Sequence, residues 1–302
     1  MTLDHLTRAQ TTQLPSRDAM LRRDDSVRRF WHTNDALFRE AWKAWEFSHA
    51  ERLAPLDDSL VDARLRAAVA EAWNDPTRED AVRSLWDEVA PGVFQSQLLD
   101  PTRIRDLRSY LEEVADAKIP VRPPYGIVLN RGGAMLDKRS AGYLAAPSFQ
   151  AFYRSLLDTY MRPIARMLFP EVMGYDSQTF GFSIRYQPAK DTSIRPHTDA
   201  SSVTLNINMN RPDEAYTGSK VRFYEASGKT HDFTFEPGVA VLHRGRVAHA
   251  AEPITSGERS NLVLWLYGQN GQLPPRYIPE ETPDARQRWS HPTLAEDRYA
   301  PF

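Results

Sequence analysis

The sequence predicts an α+β chain with a mainly β core, in which a helical amino-terminal half packs on a carboxy-terminal β-sandwich or barrel. Two observations carry this prediction. Apolar residues recur at helical spacing through the first half, and from about residue 178 the spacing changes to two. The second region also divides into six short apolar-alternating segments separated by Gly, Pro, Asp and Ser clusters. That many short strands suggest a sandwich or barrel with helices on one side.

The elements follow in order. Leu37, Ala41, Trp45 and Ser48 form one stripe over 34–53, and Val61, Leu65, Val69 and Trp73 form another over 59–73. Asp75-Pro76 and Asp100-Pro101 each read as an N-cap followed by proline in the first turn, so a helix of roughly three to four turns is expected after each. Beyond 101 the stripe is Ile104, Leu107, Leu111 and Val114. A further helix is expected from Ser148 through Phe149, Phe152 and Leu156, with a kink or break at Pro163. The strand candidates are QTFGFSIRYQ, SVTLNINMN, KVRFYE, HDFTF, GVAVLH and RSNLVLWLYG. Residues 1–120 are expected to be a helical region integral to the fold, 121–272 the β domain, and 273–302, rich in Pro and charge, a tail wrapping the body.

Bulk properties exclude several classes. The 302 residues allow one large domain or two small ones. With net charge −2 and pI about 6.5 there is no general electrostatic case for nucleic acid or an anionic membrane. The absence of cysteine removes disulfides, thiolate metal sites and cysteine nucleophiles, so any metal must be held by His, Asp or Glu. MTLDHLTRAQTTQLPSRDAM lacks the apolar core of a signal peptide, and no apolar run approaches a bilayer span, so a cytoplasmic protein is expected. The tryptophans of the helical half (Trp31, Trp42, Trp45, Trp73, Trp86) sit at helical spacing, which favours core over a substrate lid.

One stretch carries chemistry. After RPHTDA the residues of 202–210 alternate strictly, with Val203, Leu205, Ile207 and Met209 on one face and Ser202, Thr204, Asn206, Asn208 and Asn210 on the other. His197-Thr198-Asp199 precedes this strand, at a strand end where positions i and i+2 share a face, so an imidazole and a carboxylate can take neighbouring coordination sites. His49-Ala50-Glu51 has the same pattern but lies in helical periodicity, where residues two apart diverge. A third ligand must come from another strand, and His231, His243 and His249 are the candidates. Two histidines and one carboxylate leave positions open on an octahedral ion, the facial arrangement of non-haem iron(II) oxygenases.

Residues 184–265 resemble the catalytic domain of the collagen lysyl hydroxylases and related prolyl/lysyl hydroxylase-type iron(II)/2-oxoglutarate oxygenase-domain proteins. The matching stretches are RYQPAKDTSIRPHTDASSVTLNINMN, YTGSKVRFYE, GVAVLHRGRVAHA and SGERSNLVLW, and PYGIVLNRGGAML near 124–136 resembles the region that precedes the barrel. The resemblance implies a double-stranded β-helix, or jelly roll, over 121–272. In that family the second histidine follows the first by some fifty residues and a basic residue follows ten later; here His249 stands 52 residues after His197 and Arg259 ten after His249.

By resemblance, His197, Asp199 and His249 are the catalytic iron(II) ligands, 2-oxoglutarate is the cosubstrate and dioxygen the oxidant. Arg259 would meet the far carboxylate of 2-oxoglutarate bidentately, as lysine could not. Tyr186, eleven before His197, and Asn206, seven after Asp199, match residues that contact the cosubstrate, and Thr204 should face the same pocket. His243 has a counterpart that is not a ligand, so it is expected beside the ligands or the substrate, or else in plain packing. His231 is expected to be exposed, and Asn208 and Asn210 to form a solvated edge. Two departures from the family stand out: Gly218-Ser219 replaces a Gly-Gly pair, and Thr198 replaces a second histidine.

The implied activity is hydroxylation of an unactivated carbon in an amino acid, peptide or small metabolite, with succinate and carbon dioxide as co-products. A carboxylate at 199 argues against a halogenase, where this position is Gly or Ala. Two alternatives are a jelly-roll hydrolase or isomerase using zinc or manganese, which the donor set alone permits, and a non-catalytic binding module. A 2-oxoglutarate cradle of Arg259, Asn206 and Tyr186 separates the first reading from both.

Overall fold

A computed structural model of the chain describes residues 2–22, 24–124, 133–276, 282–292, 297 and 299–301. Most of the stretch 124–136 lies outside the described residues. The amino-terminal layer begins with α1 (Thr2–Thr11), α2 (Arg17–Arg22) and the long α3 (Asp25–His49), which buries Trp31, Phe38, Trp42 and Trp45 along one face. These rings pack on one another edge to face, and none lines the cavity described below. His49 stacks on Trp45 and bonds its carbonyl oxygen at 2.7 Å, which makes it a helix-end residue. α4 (Ala63–Asn74) starts where Asp62 accepts hydrogen bonds from the N–H groups of Arg64 and Leu65.

After Asp75-Pro76 the chain departs from expectation. A 3₁₀ turn at Pro76–Arg78 and the five-residue α5 (Glu79–Arg83) replace a helix of three to four turns. The chain then extends as β1 (Asp87–Ala90), turns at Pro91-Gly92 with Gly92 at φ +71°, and returns as β2 (Val93–Gln97). Proline and a left-handed glycine end helical propagation there, and a free sheet edge downstream captures the hairpin. Residues 1–120 thus contribute two strands as well as helices.

α6 (Ile104–Asp116) follows Asp100-Pro101 as expected and buries Ile104, Leu107, Arg108 and Tyr110. Pro163 does not break the next helix. α7 (Pro147–Ser155) passes through a π-helical turn at Leu156–Met161 into α8 (Arg162–Leu168), with the proline in the first turn of α8. Widening the turn just before a proline moves aside the carbonyl its ring would strike, and the helix continues.

The remaining strands are β3 (Gln178–Tyr186), β4 (Ile194–His197), β5 (Val203–Asn208), β6 (Thr217–Gly218), β7 (Val221–Tyr224), β8 (Thr230–Phe233), β9 (Val239–Arg244), β10 (Ala248–Ala251), β11 (Ile254–Ser256) and β12 (Arg259–Tyr267). They form a six-stranded antiparallel sheet in the order β1-β2-β9-β5-β12-β3 and a four-stranded one in the order β4-β10-β7-β8, with a small β11-β6 pair. This is the jelly roll. Val203, Leu205 and Ile207 on β5 and Met209 just past it, with Leu262, Leu264 and Leu266 on β12, join the same buried cluster as α3, α4, α6 and α7. The opposite faces of β5 and β12 turn toward the four-stranded sheet.

The described part of the tail also packs on the helices. α9 (Ala285–Arg288) is closed by a capping box at Asp284, and Trp289 buries against Trp73 while its Nε1 donates to Glu79 at 2.9 Å. Among the described residues no helix is long and apolar enough to cross a membrane.

Candidate metal and cosubstrate site

Strand pairing explains how residues far apart in sequence converge. β10 runs antiparallel to β4 with His249 directly opposite His197, and the two rings lie 4.3 Å apart. Asp199 sits just past the end of β4, its N–H donating to the carbonyl of Gly245 in the β9–β10 turn at 2.9 Å. One ligand atom from each of His197, Asp199 and His249 lies within 4.8 Å of the others. His197 Nε2 is 3.5 Å from Asp199 Oδ1, and His249 Nε2 is 3.8 Å from Asp199 Oδ2. These gaps are too long for strong hydrogen bonds, so the three groups converge without saturating one another.

Each histidine is oriented the same way. His197 Nδ1 bonds the carbonyl of Arg195 at 2.8 Å and His249 Nδ1 that of Val247 at 3.0 Å, two residues upstream in both cases. A carbonyl can only accept, so Nδ1 carries a proton, and in the neutral ring Nε2 is the nitrogen left to offer a lone pair to the centre. Asp199 accepts from the Thr204 hydroxyl through Oδ2 at 2.6 Å. Burial would raise the Asp199 pKa, but the surrounding imidazoles of His197, His249 and His243 and the hydrogen bond from Thr204 outweigh it and bring it down to about 2. An anionic carboxylate and two neutral imidazoles with inward lone pairs are a donor set for a divalent cation, and iron(II) fits it.

The cavity continues past this cluster between the sheets, lined by Thr204 and Asn206 of β5, Tyr186 of β3, Val221 of β7 and Arg259 and Val263 of β12. Arg259 is fully buried, and its Nη1 donates to the carbonyl of Ser219 at 2.6 Å. Tyr186 is its cross-strand partner and places its ring 4.3 Å below the guanidinium carbon. Nε and Nη2 of Arg259 have no hydrogen-bond partner, and no carboxylate among the described residues pairs with it. A buried, unpaired guanidinium costs several kcal/mol unless an anion joins it, so the residues present fit a ligand carboxylate. Burial pushes the Tyr186 phenol up, against the opposing charge of Arg259.

The Gly218-Ser219 departure is now intelligible. A Cβ on Gly218 would meet the carbonyl of Pro253 at 2.4 Å, whereas Ser219 holds a left-handed φ of +53° and contributes its carbonyl to Arg259. Thr198 is exposed beside the cluster.

Other predicted residues lie elsewhere. His243, on β9, is buried with Nδ1 bonded to the carbonyl of Arg244 at 2.9 Å and Nε2 at 4.0 Å from Asp199 Oδ2. Burial and the neighbouring His249 push its pKa down to about 4, so it is neutral. His231 is half-buried on β8 and bonds Glu225 at 2.5 Å, away from the cluster, so the expectation of exposure fails. Asn208 and Asn210 are no solvated edge: they are buried and hydrogen-bonded to β12, whose Ser260 N–H donates to Asn210 Oδ1 at 2.9 Å. Asn261 was not singled out from the sequence, although standing two after Arg259 on a strand puts it on the same face. Its Nδ2 donates to Asn206 Oδ1 at 2.6 Å.

Comparison with known proteins agrees with this geometry. The family model described as "2OG-Fe(II) oxygenase superfamily" matches residues 175–267. The "2-oxoglutarate and iron-dependent oxygenase domain-containing protein ICU11" of Arabidopsis thaliana is 29% identical over 203 residues, covering 62% of this chain and 48% of that protein. The "2-oxoglutarate and iron-dependent oxygenase domain-containing protein 2" of Xenopus tropicalis is 32% identical over 184 residues, 58% of this chain and 48% of that protein. The "Multifunctional procollagen lysine hydroxylase and glycosyltransferase LH3" of Rattus norvegicus is 33% identical over 150 residues, 45% of this chain and 20% of that protein. The matches thus span about half the length of the first two relatives, and less of the third. The matched segment runs from just before β3 to the end of β12 and holds the His-Asp-His cluster and Arg259 alike. Residues 175–267 are a domain of the 2-oxoglutarate–iron(II) oxygenase superfamily.

Proposed function

We propose that the chain is an iron(II)- and 2-oxoglutarate-dependent dioxygenase that hydroxylates an unactivated carbon of an amino acid, peptide or small metabolite, releasing succinate and carbon dioxide. The observation that carries this is the buried Arg259, with two unmet donor nitrogens and no counter-anion among the described residues, in the cavity that also holds the His-Asp-His cluster. A hydrolase or isomerase using the same three donors has no need of such a group.

His197 and His249 would hold the metal through Nε2 and Asp199 through a carboxylate oxygen. Iron(II) and 2-oxoglutarate, when bound, supply the oxidising chemistry with dioxygen. The chain's own residues position and exclude. Thr204 donates to Asp199 Oδ2 and fixes the orientation of the carboxylate. Arg259 would take the far carboxylate of the cosubstrate on Nε and Nη2, and Tyr186 beneath it fixes the plane of the guanidinium. Asn206, on the same cavity wall, would offer the cosubstrate a neutral amide, which orients an anion without adding charge. His243, neutral and buried, stiffens the β9 wall behind Asp199. Phe182, Ile184, Val221, Ala251 and Val263 make the rest of the wall apolar, so water is excluded and each charge interaction inside is strengthened.

Anaerobic addition of iron(II) and then 2-oxoglutarate to the folded protein tests the proposal. A visible charge-transfer band that requires both additions is expected. Folded protein that binds a divalent metal but gives no band overturns the oxygenase reading in favour of a metal hydrolase or isomerase. Mass spectrometry for the gain of one oxygen across amino acids, peptides and small metabolites then identifies the substrate class.

A further inference from the structure

We infer that Asn261 is a positioning residue: it closes a chain of four asparagine side chains that forces Asn206 to present an N–H donor, not a carbonyl, to the cosubstrate pocket. The inference rests on the proposed binding of 2-oxoglutarate and adds a determinant of its orientation.

A lone amide can turn over and exchange its oxygen for its nitrogen, so which end faces a ligand is decided by its other partner. Here the direction is set at the far end of the chain by backbone groups, which cannot reverse. The N–H of Ser260 donates to Asn210 Oδ1 at 2.9 Å, and Asn210 Nδ2 donates to the carbonyl of Glu258 at 2.6 Å. The N–H of Asn210 donates to Asn208 Oδ1 at 3.0 Å, so the Asn208 nitrogen must point the other way. It donates to Asn210 Oδ1 at 3.2 Å and to Asn261 Oδ1 at 3.4 Å, with the carbonyl of Ser260 a further acceptor at 3.5 Å. With its oxygen committed, Asn261 offers Nδ2, which donates to Asn206 Oδ1 at 2.6 Å. Asn206 is left with Nδ2, which has no partner among the described residues and belongs to a side chain on the cavity wall.

The register of the sheet makes the relay possible. Asn261 lies opposite Asn208 on the β5–β12 ladder, and Asn206 lies opposite Val263, so Asn206 is the diagonal neighbour of Asn261 on the inner face. Asn208, Asn210 and Asn261 are all at most 2% exposed, which keeps water from offering alternative partners. A ligand carboxylate or keto oxygen can only accept, so an amide held nitrogen-first is favourable and one held oxygen-first is repulsive.

Asn261→Val and Asn261→Thr have the same shape and differ in one hydroxyl, which can accept from Asn208 and donate to Asn206. Anaerobic titration of the iron-loaded protein with 2-oxoglutarate should show the Val variant about tenfold weaker than the Thr variant, as expected for one hydrogen bond, with iron affinity alike in the two. If Asn261→Val fails to fold, Asn261→Ala against Asn261→Ser makes the same comparison. Equal 2-oxoglutarate affinity within the pair, or a loss shared equally by iron and 2-oxoglutarate binding, overturns the relay and leaves the oxygenase reading intact. No 2-oxoglutarate binding by the unaltered protein overturns both.

Discussion

A guanidinium held inside a protein without a counter-anion keeps most of its interaction energy in reserve for a ligand. Arg259→Leu should therefore separate binding from stability. The affinity for 2-oxoglutarate should fall about 100-fold, the loss of a pair of charge-assisted hydrogen bonds, with iron binding retained. Thermal stability without cosubstrate should not fall, because an uncompensated buried charge has been replaced by an apolar side chain; a large drop would mean that the bond to Ser219 outweighs the desolvation. Local strand geometry pairs His197 with Asp199, but the choice of His249 and the proposed role of Arg259 come from the family resemblance, which alone gives their spacings meaning. The role of His243 was not legible, since the same residue on the same strand can pack, ligate or face substrate according to what lies across the sheet. Its folded-state pKa of about 4 lies below the ordinary 6.5, so on acidification the unfolded chain takes up this proton first. The metal-free protein should then lose up to about 3 kcal/mol between pH 6.5 and pH 4 from this group alone. In urea titrations at pH 7 and pH 4.5, His243→Phe should show a smaller difference in stability than the unaltered protein; an identical difference would show that His243 does not titrate in this window.

At the scale of the element, β5 works as a partition with two independent faces. Leu205 is fully buried on the helical side, and Thr204 is turned toward Asp199 on the other. Leu205→Ala should cost about 2–5 kcal/mol in urea unfolding and leave the metal affinity of the folded protein close to its original value. Thr204→Val should do the opposite, weakening iron binding about tenfold through loss of the hydrogen bond to Asp199, with only a small change in stability. If the two substitutions shift both quantities alike, the faces are not separable. Alternation revealed both faces, because the period of a strand is a local property. It did not reveal that Asn208 and Asn210 are sealed by Asn261 and the backbone of β12, since the neighbour that covers a polar face is chosen by register. The β1–β2 hairpin was hidden for the same reason: residues 87–97 become strand by pairing with β9, and the helical stripes on either side masked a segment with only Pro91-Gly92 to mark it.

For the whole molecule the main question is whether helices and barrel are one cooperative unit. They share a core in which β5 and β12 leucines and valines touch α3, α4, α6 and α7, so neither layer can expose its apolar face alone without losing the other's packing. A polar clamp adds to this: Arg108 of α6 grips Glu214 through both terminal nitrogens, at 3.0 and 3.2 Å, and reaches the carbonyl of Met209 where β5 ends. Trp289 brings the described tail into the same cluster. The tryptophans offer a direct probe, since six of the seven belong to the helical-side cluster or pack against it and Trp265 alone lies in the barrel. In anaerobic protein loaded with iron(II) and 2-oxoglutarate, tryptophan emission reports the helical layer and the charge-transfer band reports the site between the sheets. Under increasing urea the two signals should change together, with one midpoint and one slope. A band lost well before the emission shifts would mean that the barrel opens while the helices stand, and the shared core would then be a contact between two separately stable parts.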